Sequence, residues 1–105
     1  MNVFMHVGVP TTKEQPNEIY SEDLKVYITD PEKHPLKFEY LRFEENTPLP
    51  EIMQNNSHIA FKVDSIEEMA KGAKILVEPF CVDENTQIAF ILKENVVFEL
   101  MEKKA

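Results

Sequence analysis

Two histidines and two glutamates stand at matched places along this chain, and their side chains suit one task, the holding of a divalent metal ion. The stretch MHVGV, residues 5 to 9, and the stretch SHIAF, residues 57 to 61, share the order histidine, apolar, small, apolar. KFEYL, residues 37 to 41, and VFELM, residues 97 to 101, each set a glutamate directly after a phenylalanine. His6 precedes Glu39 by 33 positions (39 − 6 = 33), and His58 precedes Glu99 by 41 (99 − 58 = 41). Carboxylates gathered out of water repel one another, whereas a divalent ion neutralises two of them and accepts neutral imidazole as well. Two His and two Glu around a 2+ ion sum to zero charge. Mixed nitrogen and oxygen ligation suits Zn, Ni, Co, Fe or Mn, and the residue types do not choose among them.

Strands are needed to bring such a set together. VFMHVGV, residues 3 to 9, alternates and ends at Pro10, as a strand does. LKVYIT, residues 24 to 29, and LKFEYLRFE, residues 36 to 44, alternate too and are expected to form a hairpin across the loop at 30 to 35. In NTPLPEIMQNN, residues 46 to 56, Thr47 could cap a short helix with Pro48 at its first position. SHIAFKV, residues 57 to 63, opens a second half. Ser65 and Glu68 make a capping box for a short helix, IEEMAK, ended by Gly72. Strands are expected at 74 to 78, 86 to 92 and 96 to 102.

The eight-residue difference between the two His-to-Glu spacings is about the length of that helix. The first half therefore reads as the same unit with its helix deleted, since PTTKEQPN, residues 10 to 17, is too rich in proline and polar residues to form one. The fold class is α+β: two βαβββ-type modules forming a cup-shaped mixed sheet, the first lacking its helix. The whole of 1 to 105 is expected to be a single domain, with module one at 1 to 45, a connector at 46 to 56 and module two at 57 to 105.

Strand parity sorts the side chains. In the last strand Val97, Glu99 and Met101 face one way, and Val96, Phe98 and Leu100 the other. His58 lies opposite Ile59, Phe61 and Val63; His6 lies opposite Met5, Val7 and Val9; Glu39 lies opposite Phe38 and Tyr40. If the apolar sets pack beneath the sheet, all four polar side chains project from its concave side, with Lys62 among them and Arg42 outside. Without a helix above them, Met5, Val7, Val26, Phe38 and Tyr40 are expected to form an apolar face that needs cover from residues 48 to 54 or from a second chain. Large exposed apolar patches are uncommon on soluble monomers, so a homodimer is expected.

Composition narrows the field. With 105 residues, 43% hydrophobic and 29% charged, the chain is an ordinary globular one. Its formal net charge is −8, and its 11 basic residues are scattered, which argues against nucleic acid as a partner. No apolar run approaches a bilayer span, and MNVFMHVGVP lacks the pattern of a signal peptide, so no membrane association and a cytoplasmic location are expected. The lone Cys81 excludes an intrachain disulfide and has no nucleophile signature around it; a small, partly buried loop residue is expected there. His34, between Lys33 and Pro35, has no counterpart in the other half and is expected in solvent.

These residues resemble the vicinal oxygen chelate superfamily, which includes glyoxalase I, the bleomycin-resistance proteins and ring-cleaving dioxygenases. SHIAFKVDSIEE, ILVEPF and QIAFILKENVVFELME carry most of the resemblance, with MHVGVP and KFEYLRFE in the first half; the missing helix is a departure from the family's paired modules. Carried across by motif, the resemblance implies His6, Glu39, His58 and Glu99 as metal ligands in an open cup. It also implies a lyase or isomerase acting on a small oxygen-rich molecule, with metal-assisted proton transfer through an enediolate. Glu99 is then the first candidate base and Glu39 the second. Members that bind drugs lack this metal set, and the dioxygenases use two His and one carboxylate on iron, so a metal-free small-molecule binder or a dioxygenase is the alternative reading. Lys62, Arg42 and Tyr20 have no spacing that assigns them to a glutathione arm. The substrate stays open.

Overall fold

In the computed structural model, which describes residues 2–104, the chain forms eight strands, two short α-helices and one 3-10 turn, an α+β protein built on mixed sheet. It divides into two compact units, one of residues 6–57 and one of residues from 58 onward together with the first few residues of the chain. Among the described residues, no helix is long and apolar enough to cross a membrane.

In the first unit, the part of β1 (Val3–Pro10) from His6 onward lies parallel to β4 (Phe38–Phe43), β4 is antiparallel to β3 (Val26–Ile28), and β3 is antiparallel to β2 (Ile19–Ser21). The expected hairpin is present as β3 and β4. Strand β2 is an addition to the sequence reading: IYS is too short to show an alternation, and Asn17 and Lys25, with left-handed backbone angles of φ 61° and 52°, flank it. No helix lies between β1 and β2. Helix α1 (Glu51–Asn55) starts later than expected, with Pro50 rather than Thr47 at its N-cap position. Thr47 is used otherwise: its hydroxyl donates to the Leu24 carbonyl, 2.6 Å, and accepts from the Leu49 amide, 3.3 Å, so it ties a turn instead of opening a helix.

The second unit runs β5 (His58–Lys62), α2 (Ile66–Ala70), β6 (Lys74–Asp83), β7 (Thr86–Lys93), β8 (Val96–Lys103). β5 is parallel to β8, and β8, β7 and β6 follow as an antiparallel meander. The Ser65 hydroxyl accepts from the Glu68 amide, 3.1 Å, and the Glu102 carboxylate from the Ile66 amide, 2.7 Å, so two of the helix's open N–H groups are satisfied, one locally and one by β8. Gly72, φ 76°, turns the chain out of the helix. Val63, Ile66, Ala89, Ile91 and Leu100 form a buried cluster, with Phe61, Met69, Ala70, Ala73 and Phe98 packed around it. β6 runs five residues beyond its expected end, through Pro79. A proline is tolerated there because β6 is an edge strand of this unit and its register shifts between Val77 and Phe80. Cys81 is therefore an exposed strand residue and not the partly buried loop residue expected.

The pairing also corrects the expected apolar face of the first unit. Val7 pairs with Phe38 and Val9 with Tyr40, but Val26 pairs with Phe43 and so lies on the opposite face, with Glu39 and Leu41. On the Phe38 face, the stretch around Arg42 carries its own cover. Glu18 accepts from the Arg42 guanidinium through both oxygens, 2.9 and 2.6 Å, Arg42 sits 4.1 Å over the Tyr27 ring, and Tyr27 packs on Tyr20 at 4.7 Å. Arg42 holds the Glu18 carboxyl below its usual range through that hydrogen bond. The Tyr20 hydroxyl donates to Glu44, which pushes its pKa up to about 12. The neutral phenol is the bonded form, so the contact stabilises the fold at ordinary pH and is lost as pH rises through the raised value. In a background with Tyr27 and Tyr40 replaced by Phe, an absorbance titration of Tyr20 should have its midpoint near 12, and Glu44→Gln should bring it down.

Candidate metal centre

In the second unit, Ala60 of β5 pairs with Glu99 of β8. His58, two residues before Ala60, shares its face, and its Nε2 lies 3.1 Å from Oε1 of Glu99. Both are buried, His58 at 1% exposure and Glu99 at 8%. The helix side of the same strands takes Phe61, Val63, Phe98 and Leu100, so strand parity separates apolar core from polar pair as read from the sequence. Phe90 of β7 pairs with Glu99 and stands edge-on to the imidazole, 5.5 Å between centroids and 86° between planes. The sequence reading missed this ring, which dries one side of the His58–Glu99 pair.

The first unit repeats the arrangement. Gly8 of β1 pairs with Glu39 of β4, His6 stands two residues before Gly8, and His6 Nε2 lies 3.4 Å from Glu39 Oε1. His6 is 5% exposed. In both units, then, the histidine precedes by two a small residue that directly faces the glutamate. The small residue has a physical use. Imidazole and carboxylate meet diagonally across two parallel strands, and a bulky side chain at position 8 or 60 would stand in that diagonal. Each pair offers one imidazole nitrogen and one carboxylate oxygen, the donor types that Zn, Ni, Co, Fe or Mn take, with the carboxylate also able to accept or return a proton.

The remaining candidates lie elsewhere. Lys62 is on the His58 face but exposed, and Arg42 lies on the face opposite Glu39, engaged with Glu18. His34 is not simply solvated: it is half-buried, stacked on Phe38 with ring centroids 4.7 Å apart and planes 9° apart, and edge-on to Tyr40 at 5.8 Å. Its signal in the sequence is the apolar alternation that begins at Phe38, within reach of a tight turn at 34 to 37.

No family model and no curated protein matches the chain. Among solved structures, the chain is similar to a hypothetical protein from Bacillus halodurans, with a TM-score of 0.69 and 24% identity over 99% of this chain and 96% of that one. At that identity the likeness establishes a shared fold over nearly all of both chains.

Proposed function

We propose that this chain is a metal-dependent enzyme of the glyoxalase type, within the vicinal oxygen chelate superfamily, in which His6, Glu39, His58 and Glu99 hold one divalent ion in a cup formed by two βαβββ-type modules, the first without its helix. The observation that carries this reading is the repeat: two His–Glu pairs, each on a buried histidine and set by the same strand register, one in each unit. A core residue placed for packing alone would not need the same partner twice. Two imidazoles and two carboxylates balance a 2+ charge, and this donor set fits the borderline metals better than a two-His, one-carboxylate iron site or a metal-free drug pocket.

When bound, the ion supplies Lewis acidity, which makes a proton beside a carbonyl easier to remove. The chain's own part is to hold and move that proton. Glu99 is the first candidate: it is the less exposed of the two glutamates, and Phe90, its partner in the strand register, packs edge-on against the adjacent His58 ring. Glu39 is the second, being more exposed at its side chain, 16% against 10%. The substrate is a small oxygen-rich molecule.

Metal content is the test. Protein purified without chelator and then given Zn or Ni should retain one equivalent per chain after desalting. Retention of none would overturn the enzyme reading and favour a metal-free binding protein of the same fold. We further propose that the chain forms a homodimer, supported by Val3, Phe4, Ile19, Leu36, Ile75 and Val82, all well exposed. Sedimentation at micromolar concentration should give twice the 12.2 kDa chain mass, and a monomer would refute it.

A further inference from the structure

The first unit carries a cavity of about 320 Å³ on the sheet face opposite Glu39, and it is not part of either His–Glu pair. Its origin is the absent helix. In the second unit Ile66, Met69 and Ala70 of α2 fill the corresponding face over Phe98 and Leu100. In the first, residues 11–18 cross as an irregular strap, fastened by Thr11 N–H to the Leu41 carbonyl at 2.9 Å and by Glu18 to Arg42. A strap of this kind, with Gln15 and Pro16 lining the space, does not fill what a helix would fill, and Phe38 and Tyr40 are left at the back of an open pocket whose other wall is the turn from Asp30 to His34.

We propose that this pocket binds a small aromatic carboxylate. Its size is at the low end of the roughly 300–1,000 Å³ of ligand pockets, enough for a single ring. Its shape suits a flat ring. His34 and Phe38 are stacked too closely to admit anything between them, so they act as one wall, and Tyr40 stands at 74° to His34 and 82° to Phe38. A ring laid on one of these walls presents its edge to the other, the arrangement that aromatic quadrupoles favour.

The polar groups select the charge. The Leu36 amide donates to His34 Nδ1, 3.0 Å, which requires a lone pair there and leaves the proton of the neutral ring on Nε2. His34 thus offers an N–H. Lys33 beside it lines the same pocket and makes no ion pair among the described residues. An ammonium and an imidazole N–H together suit a carboxylate. Asp30 also lines the pocket, with Oδ1 accepting from the Glu32 amide at 2.9 Å, and its carboxylate favours a ligand that carries a hydroxyl donor on the ring over one that carries a second acid.

The test is an NMR titration of the full chain with 4-hydroxybenzoate and, separately, its uncharged amide. The acid should give saturable shifts at His34, Phe38 and Tyr40, and the amide should bind at least about tenfold more weakly, the value of a charge-assisted hydrogen bond. Lys33→Met, an exposed change that leaves the fold alone, should weaken the acid about tenfold and leave the amide unmoved. Equal binding of acid and amide, an unchanged Lys33→Met, no saturation, or shifts confined to the surroundings of His6 and His58 would each overturn the proposal. The last of these would mean that the carboxylate is held at the metal centre instead, so this test and the metal test fail separately.

Discussion

His58→Ala should lower the affinity for Zn or Ni by more than about 100-fold, measured by competition with a chromophoric chelator, because even loss of a group that merely orients a metal ligand costs about 10- to 100-fold. His58 is proposed as a ligand itself, and it is 1% exposed. Glu99→Ala should act similarly, since it removes one of the two negative charges that balance the ion. His6→Ala is the more informative partner. If both pairs serve one ion, His6→Ala and His58→Ala each weaken the same single equivalent, and the double variant binds none. If each pair instead held its own ion, wild type would take up two equivalents and each single variant one. His34→Ala, on the opposite face of its sheet from Glu39, should leave metal binding unchanged. A bound metal also stabilises the fold by mass action, by about 2.7 kcal/mol at a hundredfold excess over its Kd, so the same variants should lose the rise in Tm that metal gives wild type. A wild-type affinity that survives in both His6→Ala and His58→Ala would refute the centre.

Much of the local structure was legible because single residues carried it. Ser65 and Glu68 announce the start of α2 by a contact that needs only four residues, and the structure has that bond. The alternation through FELM separates Glu99 from Leu100 without any knowledge of partners. What failed depended on which strands pair and where. Val26 alternates convincingly, yet only its pairing with Phe43 decides that it shares the Glu39 face. The pairings of Ala60 with Glu99 and Gly8 with Glu39 join distant segments, and no turn in the sequence sets them. Phe90 was within reach. Glu94 and Asn95 both have positive φ, 53° and 66°, the signature of a two-residue hairpin turn, and counting outward from that turn pairs Lys93 with Val96 and so Phe90 with Glu99. A Glu-Asn pair is a weaker turn signal than Asn-Gly, so the register is not evident from the sequence. Thr47 and Pro48 misled for a related reason: a capping residue marks a helix only when apolar spacing follows it, and in this chain Thr47 has a competing partner in the Leu24 carbonyl.

Leu100→Ala should reduce unfolding stability by about 2–5 kcal/mol, the range for deleting a fully enclosed leucine. Leu100 is 0% exposed and sits in the cluster that joins α2 to β5, β7 and β8, so its loss leaves a cavity among Val63, Ile66, Ala89 and Ile91. For a chain of this size each kcal/mol is worth about 4–8 °C, so Tm should fall by more than about 10 °C, and the urea midpoint should fall with little change in slope. Leu36→Ala, at 64% exposure, should change stability by less than about 0.5 kcal/mol and serves as the control. Glu99 and Leu100 are adjacent, and the pleat sends them to opposite faces of β8, one to His58 and one to the helix. Below its lowered midpoint Leu100→Ala should therefore still bind one equivalent of metal with wild-type affinity, whereas Glu99→Ala should fold and bind it more than about 100-fold more weakly. If Leu100→Ala were as stable as wild type, the helix-side cluster would not be the core of this unit. If instead it lost metal while still folded, the two faces of β8 would not be the independent surfaces that the strand geometry makes them.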